Sequence, residues 1–491
     1  MTQQASALQR AVRFRVILKY FGQLCLVLSA SVLVPLSVSL IFGDTMVSIR
    51  YTVILIGVLA VGGILARLRA PAHVQANEGM ILAAFFFLLS PLLAAYPMML
   101  TLPNFLDAVF EGMSAVTTTG LSNLTRVEES SSTFLFARAW MQWFGGFGIV
   151  ALSLAWVVQP GMAAKGLSVT ETDADDLIGG TRIHAQRTLA VYTILTGLGI
   201  LILWALGVNG FHSVLYAFAA ISTGGFSPHH DSATGLGGPV QGALILICLM
   251  GAFPLAFYHQ LYRHKIQKIR KIRGIGFSQQ IAVLLGGLII TVLLWACLSA
   301  QDMTTWTHSL QQASFLAFSA QTSAGFSNMS LADLDSASKL AMLLAMMSGA
   351  TGSTTGGFKV FRLLILLRLL QLVIVRTCLP KNAVTALQLE EKRVQDTDII
   401  HALLIILAFL MVIALSWMPF VAMGYDPLDS LFEVISATGT VGLSVGITSP
   451  DLPSPLKIIL CLDMLMGRLE VLAWFVLFYP RTWFGRRSEA E

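Results

Sequence analysis

The chain has 491 residues, 31 Lys and Arg against 26 Asp and Glu, and a formal net charge of +5. Residues of the AVILMFWYC class make up 56% and charged residues only 12%, with a mean hydropathy of +0.76. A water-facing surface needs roughly twice that charge density, so a soluble enzyme and a disordered scaffold are both excluded.

A helix needs about 20 apolar residues to cross the hydrocarbon layer. Such runs fall, in chain order, near 16–42, 51–68, 79–102, 134–158, 189–208, 238–260, 276–299, 338–375, 399–420 and 455–479, which predicts ten crossings. Arg10, Arg13 and Arg15 give the first run a signal-peptide start, but it is too long and a second run follows, so it reads as a retained anchor. Lys and Arg gather on the side of the termini, around Arg67, Lys165, Arg182, Lys265, Arg270, Lys381, Lys392 and Arg481. That bias predicts a multi-pass plasma-membrane protein with both termini cytoplasmic, and it reads the basicity as topology rather than as a nucleic-acid surface. The opposite loops are acidic, with Asp107, Glu111, Asp429 and Glu433 among them. A negative outer mouth concentrates cations, although ordinary solvated acids have the same pattern. The five cysteines lack metal-site spacing and read as buried free thiols.

A repeat runs through the outer segments. Thr117-Thr118-Thr119-Gly120, Ser222-Thr223-Gly224-Gly225, Thr322-Ser323-Ala324-Gly325 and Gly439-Thr440-Val441-Gly442 each continue as Leu/Phe-Ser. The last glycines are 105, 100 and 117 residues apart, and Ser114-Ala115, Ala219-Ala220, Ser319-Ala320 and Ser436-Ala437 recur six and five positions before them. Asp107 and Glu111 in the first copy answer Asp429 and Glu433 in the fourth. Each copy reads as span, short helix, glycine loop, span. Because each crosses twice, successive copies enter the membrane the same way and can close around an axis normal to it, unlike inverted repeats. The fold expected is all-α and polytopic: two N-terminal helices in 1–70, then pore repeats in 71–165, 166–273, 274–394 and 395–491, arranged with pseudo-fourfold symmetry.

The segments before the loops, about 105–116, 212–221, 308–320 and 428–437, rise at most roughly 20 Å, too short to cross. Non-helical backbone at that depth is tolerated where protein encloses it or where it lines a watery path. Four such loops on one axis would aim carbonyls inward in place of a cation's hydration water, with Thr and Ser hydroxyls as further ligands. This describes a cation selectivity filter.

On these motifs the chain resembles the Trk/Ktr/HKT potassium transporters, especially the Trk-type bacterial subunit with two extra N-terminal spans. The resemblance implies K⁺ as the transported ion, held at the filter residues named above, with Gly120, Gly225, Gly325 and Gly442 lining one pathway. Glycine in all four copies favours K⁺ over Na⁺. It also implies a homodimer in the bacterial inner membrane on a ring of cytosolic nucleotide-binding regulatory subunits. No nucleotide fingerprint appears in this chain itself.

The span after the third loop is interrupted at Ser348-Gly349-Ala350-Thr351-Gly352-Ser353-Thr354-Thr355-Gly356-Gly357, followed by Phe358 and Lys359. About 15 Å of helix from Ser338 puts this break near the midplane. Small residues could equally form a helix-packing face. The resemblance implies a gating loop of Gly349, Gly352, Ser353, Thr354, Thr355, Gly356, Gly357 and Lys359 that obstructs the pore. Arg468, inside the last span, is expected to bond the loop and hold it closed; an ion pair with Asp463 or Glu470 is the competing expectation.

Two other classes compete. An alternating-access transporter coupling Na⁺ to an organic solute would also use broken helices, but the copies face the same way. A membrane hydrolase could use Ser444 in Gly442-Leu443-Ser444-Val445-Gly446, yet that elbow needs a histidine base and the other copies lack the second glycine. His229-His230 reads as a pH-sensitive rim or as simply solvated.

Overall fold

The computed structural model describes residues 11–71, 74–157, 177–255, 306–332, 334–346, 353–357, 359–380, 388–389, 392–394 and 396–484, with isolated positions 258, 286, 289 and 292. Among the described residues the architecture is helical, with one antiparallel pair of two-residue strands, β1 (Gln388–Leu389) and β2 (Lys392–Arg393). The expected seventh span, 276–299, lies almost wholly outside them, as do the basic positions between 259 and 273 that were expected to face the cytoplasm.

An N-terminal hairpin, α1 (Phe14–Ile41) and α2 (Thr45–Leu65), precedes α3 (Ala76–Met98). Its Cys25, Leu28, Tyr51 and Ile54 pack into the core, while Ile41, Ile56 and Ile64 are more than half exposed. Exposed apolar stripes of this extent are stable in lipid and not in water. Five helical stretches among the described residues are long and apolar enough to cross a membrane: α1, α2, α3, Ala185–Ala205 and Ile399–Ala422.

The helices leading into the glycine loops are α4 (Phe105–Val116), α7 (Gly210–Ile221), α9 (Trp306–Gln321) and α13 (Pro427–Thr438). Those following them are α5 (Ser132–Val157), α8 (Gly238–Ala252), α10 (Ser336–Ala345) and α14 (Ser454–Arg468), while α6 (Leu177–Ala205) and α12 (Asp396–Ala422) lead into α7 and α13. Apolar clusters fill successive junctions. Leu215 of α7 joins Ala108 of α4, Phe315 joins Tyr216 and Ile247, and Phe432 joins Leu316 and Met342. Phe110 and Met113 join Leu460 and Met464, so the last copy packs on the first. The chain's ends also meet, the Val12 amide bonding the Thr482 carbonyl at 2.9 Å.

Two expected spans are broken. The first ends at Ala345 and resumes as α11 (Val360–Thr377), as the glycine-rich stretch suggested. The other, read from sequence as one run over 455–479, stops at Arg468 and resumes as α15 (Leu472–Phe478). Glu470 between them has φ +52°, a left-handed conformation that ends a helix and that hydropathy does not register. Buried thiols are found at Cys25, Cys248 and Cys461, whereas Cys378 is exposed just past the end of α11.

Three copies share a packing device. A Cβ on Gly145 would strike the Val116 carbonyl, one on Gly251 that of Ile221, and one on Gly467 that of Thr438. Each glycine thus lets a long helix lie directly on the last residue of its short helix. Gly251→Val is expected to overpack this contact by about 1–3 kcal/mol. Thermal unfolding of the purified protein in detergent should show a lowered midpoint, while Gly242→Val, on open space, should not.

Candidate functional site

The four glycine loops are built alike, atom by atom. Asn104, Asn209 and Asp426 cap α4, α7 and α13 through side-chain bonds to the amides of Leu106, Phe211 and Leu428, all sixteen positions before the loop glycine. Each short helix then ends in paired reverse bonds. In the first copy the Thr118 amide donates to Ala115 and the Thr119 amide to Ser114. The same pairs recur as Thr223 to Ala220 with Gly224 to Ala219, Ser323 to Ala320 with Ala324 to Ser319, and Thr440 to Ala437 with Val441 to Ser436. This is a Schellman ending, whose crossing residue takes left-handed φ and is usually glycine. Here it is Thr118, Thr223, Ser323 and Thr440, with φ of 54°, 54°, 49° and 49°. A branched or hydroxylated residue there costs about 1–2 kcal/mol, so four in register mark a strained backbone held by its surroundings. The small pairs read from sequence are the acceptors of these bonds.

Two residues on, Gly120, Gly225, Gly325 and Gly442 have φ of 94°, 75°, 72° and 87°. A Cβ on Gly120 would collide with the Gly224 carbonyl oxygen, one on Gly225 with that of Ala324, one on Gly325 with that of Val441, and one on Gly442 with that of Thr119. The four loops therefore close a ring of backbone against backbone, in the order of the copies. The side chains of Thr117, Thr118, Thr119, Ser222, Thr223, Thr322, Ser323 and Thr440 are all buried around it. The hydroxyls of Thr118, Ser323 and Thr440 have no hydrogen-bond partner among the described residues, and that of Thr223 lies 3.3 Å from the Thr354 hydroxyl.

The serine two places after each glycine ties the loop's return. Ser122 bonds the buried Glu111 carboxylate at 3.0 Å and Ser227 lies 3.2 Å from the Tyr216 hydroxyl. Ser444 bonds Glu433, which also accepts from the Val445, Ile447 and Thr448 amides. In the third copy Leu316 stands at that helix position, and the Ser327 amide is held instead by the Ser232 hydroxyl at 3.1 Å. Glu111 is neutralised by Arg138 of α5 at 2.6 Å, both buried, with the guanidinium 3.9 Å from the Phe226 ring centroid. Farther out, Lys457 pairs with Asp107 at 2.5 Å and Lys339 with Asp429 at 2.7 Å, each joining the helix after one glycine loop to the helix before the next. Four of the outer acids, Asp107, Glu111, Asp429 and Glu433, thus tie helices and loops together. At the rim, His230 donates its backbone amide to Glu128, which holds that carboxyl below the ordinary glutamate range; His229 packs edge-on to His212.

Beneath the ring, residues 353–357 thread between copies. The Thr354 hydroxyl lies 3.0 Å from the Gly251 carbonyl, Gly356 abuts the Thr440 side chain, and Gly357 abuts Gly439. Gly349 and Gly352 lie outside the described residues. Arg468, fully buried, donates to the Thr354 carbonyl at 2.6 Å and the Gly145 carbonyl at 3.3 Å. The acids expected to compete for it are engaged elsewhere: Asp463 with Ser416 at 2.6 Å, Glu470 with Arg362 at the head of α11. Lys359 turns back onto the Thr355 carbonyl at 2.5 Å.

A family profile described as "TrkH: Cation transport protein" matches residues 55–483. The chain belongs to the TrkH family of cation transport proteins. Relatives include an uncharacterized cation transporter of Methanocaldococcus jannaschii, 29% identical and covering 85% of each chain. The Trk system potassium uptake protein TrkH of Halomonas elongata is also 29% identical, over 96% of this chain and 99% of its own. In fold, the chain matches the crystal structure of the potassium transporter TrkH from Vibrio parahaemolyticus with a TM-score of 0.83, at 23% identity, covering 96% of this chain and all of that one.

Sequence reading of this TrkH-family chain missed Arg138 and Gln142 of α5, the caps, and the helix-backing glycines. The glycines carried a readable signal, standing 25, 26 and 25 residues after the loop glycines at Gly145, Gly251 and Gly467. Glu433→Gln should cost about 1.5–3 kcal/mol, because several donors lose a charged acceptor. Thermal unfolding of the purified protein in detergent checks this.

Proposed function

We propose that this protein takes up K⁺ across the plasma membrane through one path lined by the four glycine loops, with residues 353–357 and Arg468 as its gate. The carrying observation is the closed ring of Gly120, Gly225, Gly325 and Gly442, each against the next loop's carbonyl. An alkali cation enters only if oxygens replace its hydration water, and strained backbone with unpartnered buried hydroxyls supplies oxygens that the protein does not itself consume. Similarity to the Trk system potassium uptake protein of Halomonas elongata supports K⁺ as the cargo. In this reading 71–165, 166–273, 274–394 and 395–491 are four pore repeats, and the helices of 1–70 brace the first.

The gate reading rests on Arg468 spanning from the last copy to the loop and to the first copy. Its charge also raises the barrier for a cation below the ring. The Glu470 to Arg362 pair ties the break in the last span to α11, so that α11 cannot draw the loop aside without separating two partly buried charges. A homodimer carrying a cytosolic nucleotide-binding ring would supply that pull, and both termini would face the ring.

Rb⁺ uptake into liposomes containing the purified chain tests the transport reading. Uptake down a gradient without an organic solute is expected; strict dependence on a solute, or ester cleavage, would overturn it. Arg468→Ala and Glu470→Gln are each expected to raise flux in the absence of a cytosolic partner by roughly tenfold, one such factor for each 1.4 kcal/mol removed from the barrier. Unchanged flux in both, at equal incorporation, would remove the gate role.

A further inference from the structure

The second loop is the one with glycine immediately before the ring glycine, Gly224, where the other copies have Thr119, Ala324 and Val441. Its backbone does not demand glycine, since left-handed φ falls on Thr223 and Gly225 and not between them. A neighbour demands it. A Cβ on Gly224 would stand 2.5 Å from the side-chain amide carbon of Gln142.

Gln142 comes from α5, in the preceding copy, and is fully buried. Its Nε2 donates to the Gly224 carbonyl and its Oε1 accepts from the Phe226 amide at 3.2 Å. One side chain therefore brackets Gly225 from both sides and uses both ends of its amide. The Gly224 carbonyl is the oxygen that faces Gly120, the place taken in the other junctions by Ala324, Val441 and Thr119. Among the described residues, it alone of these four accepts a side-chain donor.

We infer that Gln142 is a positioning residue for ion discrimination, matched to Gly224, that pins one quadrant of the ring. This rests on the transport reading above. A smaller ion such as Na⁺ is held well only if the oxygens can draw together around it. A carbonyl tethered to a buried amide resists that contraction, and its bonded lone pair offers less charge to a strongly field-seeking ion. Three quadrants can adjust, and the fourth sets a lower limit on the aperture.

The test uses the full chain in liposomes, with Rb⁺ uptake and its competition by Na⁺ measured together. Wild type is expected to take up Rb⁺ with weak Na⁺ competition. Gln142→Met keeps length and apolar bulk but loses both bonds, and is expected to strengthen Na⁺ competition by roughly three- to tenfold with Rb⁺ uptake retained. Unchanged competition in folded Gln142→Met would overturn the inference and leave the transport reading standing; absence of Rb⁺ uptake by wild type would overturn the reading itself. Should Gln142→Met not fold, the cavity match decides. Gly224→Ala alone is expected to lose folded yield, and adding Gln142→Ala in the same chain to recover it. Failure of the double variant to improve on Gly224→Ala would overturn the pairing.

Discussion

Everything in this molecule answers to one steric demand: four stretches of main chain must approach one another so closely that no β-carbon fits between them. The ring glycines satisfy it at the points of contact, where each faces a carbonyl oxygen of the next loop. The residues two places earlier satisfy it less comfortably, with threonine or serine in a conformation that glycine would adopt freely. Such a backbone survives because the reverse-bonded helix ends, the return serines and the long helices lying on bare glycines leave it no alternative. Strain at the centre is balanced by satisfied hydrogen bonds around it.

The same demand is met by different chemistry in each copy. A carboxylate neutralised by arginine anchors the first loop, a tyrosine hydroxyl the second, a neighbouring serine the third, and a carboxylate collecting backbone amides the fourth. Four loops of like backbone are thus held by side chains that differ from one loop to the next. This separation lets individual quadrants acquire distinct stiffness, as the bracket around Gly225 does, without disturbing the shared main-chain path. It also explains why the loop beneath the ring can bind the second and fourth copies through Gly251 and Thr440 while its arginine partner reaches the first.

How much of this could be read from the chain depends on the range of the interaction. The short helices, the ring glycines and the small residues preceding them were legible because each reports a local backbone requirement repeated four times. The break after Ala345 was legible because glycine and hydroxyl residues accumulate there. The break at Glu470 was not, because a single left-handed residue inside an apolar run leaves hydropathy unchanged. Outer acids such as Asp107 and Glu433 were recognisable as a register, but their partners Lys457 and Thr448 were not, since these are fixed only by the fold. Gln142 was invisible for the same reason: nothing in α5 advertises which loop it will touch.

The ion pair between Asp107 and Lys457 joins residues 350 positions apart. A chain threaded into the bilayer from its N-terminus therefore exposes the first copy's acid long before the matching lysine has been synthesised. Until the helix carrying Lys457 is made, the contact of the last copy on the first cannot form. Premature termination before Lys457 would leave the first copy's acid without its partner.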